Sequence, residues 1–179
     1  MRRSILKRFG RDERGVAALE FALTAPVMII VFFGIVEVGQ AVVAGRRAGQ
    51  AASVLADLAT QKAQFTNADV TDSFAAAKAM MKPMDTTKLT MKLTSVTADA
   101  QGVPKVDWSE ADGMTKDTPG STYSGLPAGL VTKAGETALA ATAKFTLTQV
   151  TQSVIKQDLA YTKMAYTHPR AGTVVRTAN

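Results

Sequence analysis

The sequence predicts an α+β protein: a long N-terminal transmembrane helix serving as a spine, a second short helix, and a small antiparallel sheet of about four strands. Three observations carry that prediction. Gly15 to Ala44 is apolar almost throughout, with Glu20 and Glu37 its only charges. A helical period then runs on to Ala63 and returns between Val70 and Met81. From Thr86 the apolar period shortens to two, the spacing of half-buried strands.

The uncharged centre of the apolar run, Phe21 to Val36, is sixteen residues long. With its small and apolar flanks it reaches the roughly 20 residues needed to cross a hydrocarbon core. A single segment in lipid satisfies its own backbone only as a helix. Before it stand Arg2, Arg3, Lys7, Arg8, Arg11 and Arg14 against Asp12 and Glu13, a net charge of +4; after it come Arg46 and Arg47. Basic residues resist translocation, so the N-terminus is expected in the cytoplasm and everything after Ala44 in the periplasm or outside. Pro26 removes one backbone donor and crowds the preceding turn, which predicts a kink.

Ala41 to Ala63 is rich in helix formers and free of proline. Small residues recur every fourth position, at Ala41, Gly45, Gly49 and Ser53, with Ala44, Ala48, Ala52 and Ala56 beside them. Such a stripe admits close approach of another helix or a sheet. Each interior glycine costs about 1 kcal/mol in an isolated helix, so packing must compensate. A helix from Val16 to Ala63 would measure about 72 Å at 1.5 Å per residue.

Thr66-Asn67-Ala68-Asp69 is a helix start, with Thr or Asn capping and an acid in the first turn. Val70, Phe74, Ala77 and Met81 share one face, and Pro83 ends the helix. Leu89, Met91 and Leu93 then alternate with lysines and threonines, and Val96 shifts the phase, which points to a bulge near Ser95. Ala100-Gln101-Gly102 reads as a turn, and Pro104, Val106 and Trp108 as one face of a returning strand, with Trp108 in the core. Residues 109–136, studded with Gly and Pro, read as a loop. Leu139 to Leu147 alternates most cleanly of all. A last strand runs roughly from Leu159 to Thr167, with Tyr161 and Tyr166 on opposite faces. The tail Ala171–Asn179 reads as loose.

Composition narrows the function. The chain's net charge is +6, but 16–179 carries 15 basic and 13 acidic residues, so the exported part is near neutral and nucleic acid is not an expected partner. Without cysteine there is no disulfide, thiolate metal site or lipoprotein anchor. The single histidine, His168, stands beside a proline at a strand end, and no carboxylates cluster at ligand spacing. Phosphate-binding glycine loops and nucleophile elbows are absent. No metal, cofactor or enzymatic activity is expected.

Glu20 is the residue that lipid would penalise, by roughly 2.5–3.5 kcal/mol at mid-bilayer. A small residue closing a basic leader, a carboxylate five positions on and an unbroken apolar helix resemble type IV pilin-like precursors. In them a membrane peptidase cuts after the glycine, and the carboxylate pairs with the new α-amino group. More closely, the run Gly15-Val-Ala-Ala-Leu-Glu20-Phe21, the nearby Pro26 and the far Glu37 resemble the TadE/TadG-like family, pseudopilins or minor pilins of the tight-adherence (Flp) pilus. Processed members carry Tyr after the glutamate where this chain has Phe21.

The resemblance implies a cut between Gly15 and Val16, with Glu20 as the pilin-type carboxylate. It also implies a prepilin peptidase, a TadF-like pseudopilin and other Tad assembly proteins as partners, with the major Flp pilin a further candidate. The protein would lie in the bacterial inner membrane and enter the extracellular pilus or stay behind. Four segments follow: a cytoplasmic leader over 1–15, a transmembrane helix over 16–45, its periplasmic continuation over 46–65 and a periplasmic α+β domain over 66–179. Two other readings stand beside this one: a binding or adhesion domain on an uncleaved anchor, and a domain released by cleavage after Ala44.

Overall fold

The computed structural model describes residues 14–148, 158–170 and 172–177, so the leader expected over 1–15 lies outside the described residues but for its last two. Helix α1 spans Arg14–Thr60, 47 residues without interruption at Pro26. Strand β1 is Gln64–Phe65, helix α2 Asn67–Ala79, and a 3-10 turn Thr86–Lys88 leads into β2, Leu89–Ala98. Strands β3 (Pro104–Asp112), β4 (Thr137–Leu147) and β5 (Leu159–Thr167) follow, and β6 is Val175–Arg176. The α+β prediction holds: among the described residues there are two α-helices and a four-stranded antiparallel sheet of order β3-β2-β4-β5. The chain divides into two compact units, Met1–Gln40 and Ala41–Asn179.

Helix α2 begins as its sequence dictates. The Thr66 hydroxyl accepts from the Asp69 amide at 3.3 Å, and the Asp69 carboxylate accepts from the Thr66 amide at 2.9 Å, a reciprocal capping box. Phe74, Ala77 and Met81 are buried in one line, with Val70 partly so. They join one core with the 44–59 face of α1 and the inward residues Leu89, Met91, Leu93, Leu139, Ala141, Ala143 and Phe145. Leu89, Met91 and Leu93 lie opposite Phe145, Ala143 and Ala141, and Leu139 opposite Ser95, which is why a period of two yields one continuous face.

The bulge falls at the expected place, between Ser95 and Val96, and it corrects one expectation. Trp108 pairs with Ser95 but Val106 pairs with Val96, leaving Asp107 as the extra residue. Pro104 and Val106 thus lie on the outer face, opposite Ala98 and Val96, while Trp108 lies on the helix face. One added residue is enough to reverse the alternation. Asp107 accepts from the Ser95 and Thr97 hydroxyls at 3.0 and 2.6 Å, which satisfies it.

The loop is shorter and better packed than its composition suggests. Strand β3 holds to Asp112, and segment 120–123 returns along its edge: the Val106 amide donates to Ser121 O at 2.9 Å and the Tyr123 amide to Pro104 O at 2.9 Å. Leu126, Leu130 and Val131 cover Ala98 and Ala138 on the outer face of the sheet. That cover buries Ala138, and β4 is buried at every residue from Thr137 to Ala143, where alternation alone predicted one side. Burial pushes the Tyr123 phenol up to about 12, with Tyr166 and Asp117 adding to it.

The tail is a second correction. Residues 172–177 are docked: β6 pairs in parallel with β1, and Val174 is buried. Trp108 Nε1 donates to Val174 O at 2.8 Å, while its ring stacks on Phe65 at 5.7 Å. Arg176 Nε donates to Glu110 at 2.9 Å and Nη1 to Phe65 O at 3.1 Å. A buried indole N–H needs an acceptor, and the tail backbone is what supplies it.

Candidate functional site

From Val16 to Val38 the large apolar side chains of α1 are exposed almost without exception, Ile30 to 72% and Phe21 to 69%. A Cβ added at Gly15, Gly34 or Gly39 would meet no atom within 4 Å. Covering such side chains is worth about 1.5–3 kcal/mol each, so this surface calls for an apolar medium. By length and composition the helix can cross a membrane. Gly15, Val16 and Glu20 stand exposed in its first turns. Four residues on, the Thr24 hydroxyl donates to Glu20 O at 2.9 Å and to Phe21 O at 3.3 Å, just ahead of Pro26. Hydroxyl bonds of this kind, to carbonyls three and four residues back, keep the hydroxyl satisfied within its own helix.

From Ala41 onward the same helix is built otherwise. Ala44, Ala48, Ala51, Ala52, Leu55, Ala56 and Ala59 are all buried in the helix–sheet core. Of the four-residue stripe, Gly45 is buried, Ala41 and Gly49 are half-buried and Ser53 is exposed. An added Cβ at Gly45 would touch the Tyr161 ring at 3.5 Å, and one at Gly49 would reach Lys163 at 3.9 Å, so both glycines face β5. Sequence reasoning passed over Ala51, Leu55 and Ala59. Their signal was the three-and-four spacing 44-48-51-55-59, which is the period of a helix face.

Ion pairs ring the core rather than form a reactive centre. Lys62 holds Asp69 in a close pair and, with the Thr66 amide and hydroxyl, lowers its pKa to about 2. Burial raises Glu110, but Lys116 at 2.5 Å and Arg176 at 2.9 Å outweigh it and leave the carboxyl below its ordinary range. His168 Nδ1 lies 3.0 Å from Thr137 O. Among the described residues no three His, Asp or Glu side chains gather where they could hold a metal ion. One open cleft of about 500 Å3 lies beside Trp108, between Thr97, Asp107 and the docked tail.

Residues 15–57 match the model of a family described as TadE-like protein. The matched segment starts at Gly15, takes in the exposed apolar stretch and ends on the sheet-packed face of α1. No curated protein and no solved structure matches the chain.

Proposed function

We propose that this chain is a structural component of a Tad, or Flp-type, pilus: a minor pilin or pseudopilin held in the inner membrane by the apolar stretch of α1. The observation that carries the reading is the TadE-like match over 15–57, which coincides with a helix whose apolar side chains are uncovered up to residue 38. In this reading a prepilin peptidase cuts between Gly15 and Val16, and the Glu20 carboxylate then pairs with a free α-amino group, its own or a neighbour's. Pairing would remove two charges that lipid penalises. Gly15 is exposed, and among the described residues no side chain lies within 4 Å of where its Cβ would be, which is compatible with access by a peptidase. The partners would be that peptidase, a TadF-like pseudopilin and the Tad assembly proteins, with the domain on the periplasmic side.

Mass spectrometry of the protein from membranes tests this: the mature chain is expected to begin at Val16, and Gly15→Trp to keep its leader. A wild-type chain that retains its leader and co-purifies with no pilus component would instead support a binding domain on an uncleaved anchor.

A further inference from the structure

The outer face of the sheet carries a cleft of about 470 Å3 that the pilus reading leaves unused. Lys88, Thr90 and Lys92 line one side, Lys144 and Thr146 the other, and Gly113 to Thr115 form a wall. Register brings the lysines together. Thr90 lies opposite Lys144, so Lys88 and Lys92 stand two residues to either side of the residue that faces it. Like charges gathered on one sheet face oppose its pairing.

Asp117 offsets them in part: it lies 2.7 Å from Lys92 and also accepts from the Thr94 hydroxyl. The Lys88 ammonium donates to the Thr148 hydroxyl. The Lys144 side chain is exposed and, among the described residues, its ammonium has no ion pair or hydrogen bond. Gly113, at φ +73°, lets the wall descend: a Cβ there would lie 2.7 Å from Thr90 Cγ2.

We propose that this cleft binds a phosphate group. Ammonium groups are compact point charges that suit a tetrahedral anion, whereas a planar carboxylate favours the guanidinium fork, and no arginine lines the cleft. The hydroxyls of Thr115 and Thr146 add neutral donors, while the Thr90 hydroxyl donates to Lys144 O at 3.4 Å. A free phosphate ester and a lipid headgroup present the same charged tetrahedron. The proposal does not depend on the pilus reading.

The test uses the full chain, 15N-labelled, in uncharged detergent, titrated with sodium phosphate against sodium chloride at equal ionic strength. It is repeated in nanodiscs of phosphatidylcholine with and without phosphatidylglycerol. Saturable amide shifts at Thr90, Gly113 and Thr115 are expected, with affinity about tenfold weaker in Lys144→Gln, as for a lost charge-assisted bond, and unchanged in Lys133→Gln. Shifts with sodium phosphate identify a free ester; shifts that require phosphatidylglycerol identify a headgroup. Absence of saturable shifts in both media, equal shifts with chloride, or equal affinity in Lys144→Gln overturns the proposal.

Discussion

Two stretches of one unbroken helix follow opposite rules. Up to Gln40, α1 carries large apolar side chains that its own chain leaves bare; from Ala41 the apolar residues it buries are alanines, but for Leu55. Bare bulk suits a fluid apolar medium, which adapts to any side-chain shape. Small residues suit a fixed sheet, because close packing rewards near approach and punishes any misfit. Size, more than hydrophobicity, tells the two stretches apart.

That contrast can be broken at several points. Leu55, fully buried, is the largest side chain that α1 gives the core. Leu55→Ala is expected to cost the domain about 2–5 kcal/mol. Trp108 is the only tryptophan, so its fluorescence during denaturant unfolding in uncharged detergent reads the loss. Ala48→Leu, an insertion into a filled site, should cost about 1–3 kcal/mol in the same measurement. A change below about 0.5 kcal/mol in either variant would mean that this face is not packed as described.

Acid tests the start of the domain. The Asp69 carboxyl is held at about 2 against an ordinary 3.8, so its contribution is fully present above 3.8 and is lost as pH falls toward 2. Unfolding followed from pH 5 to pH 2 should show a loss of stability that is smaller in Asp69→Asn. The smallest effect is expected at Ile30→Ala, which lies in the bare stretch. Domain stability should change by less than about 0.5 kcal/mol, while partitioning into membranes weakens.

Much of the domain was legible because its signals are local. Thr66 and Asp69 cap a helix from three residues apart, and Leu89, Met91 and Leu93 alternate within a few positions. The register shift lies where the sequence pointed, near Ser95, but the extra residue is Asp107 of β3, and β2 itself pairs with β4 without a break. The side of the bulge on which Val106 falls was not legible, since it depends on which strand holds the extra residue. For the candidate site, Gly15, Glu20 and Pro26 were visible as a pattern, and the family match begins at the same glycine.

The order of residues alone determined the apolar helix, its small-residue continuation, α2 and the alternation of the main strands, because each arises from neighbours within one or two turns. Tertiary structure alone decided that the tail docks, that the long loop roofs the outer face, and that three lysines meet in one cleft. Those outcomes join residues far apart in the chain: Trp108 with Val174, Val131 with Ala98 and Ala138, Lys88 with Lys144. No local period records such meetings; only a closed sheet register and the need to satisfy buried polar groups bring them about.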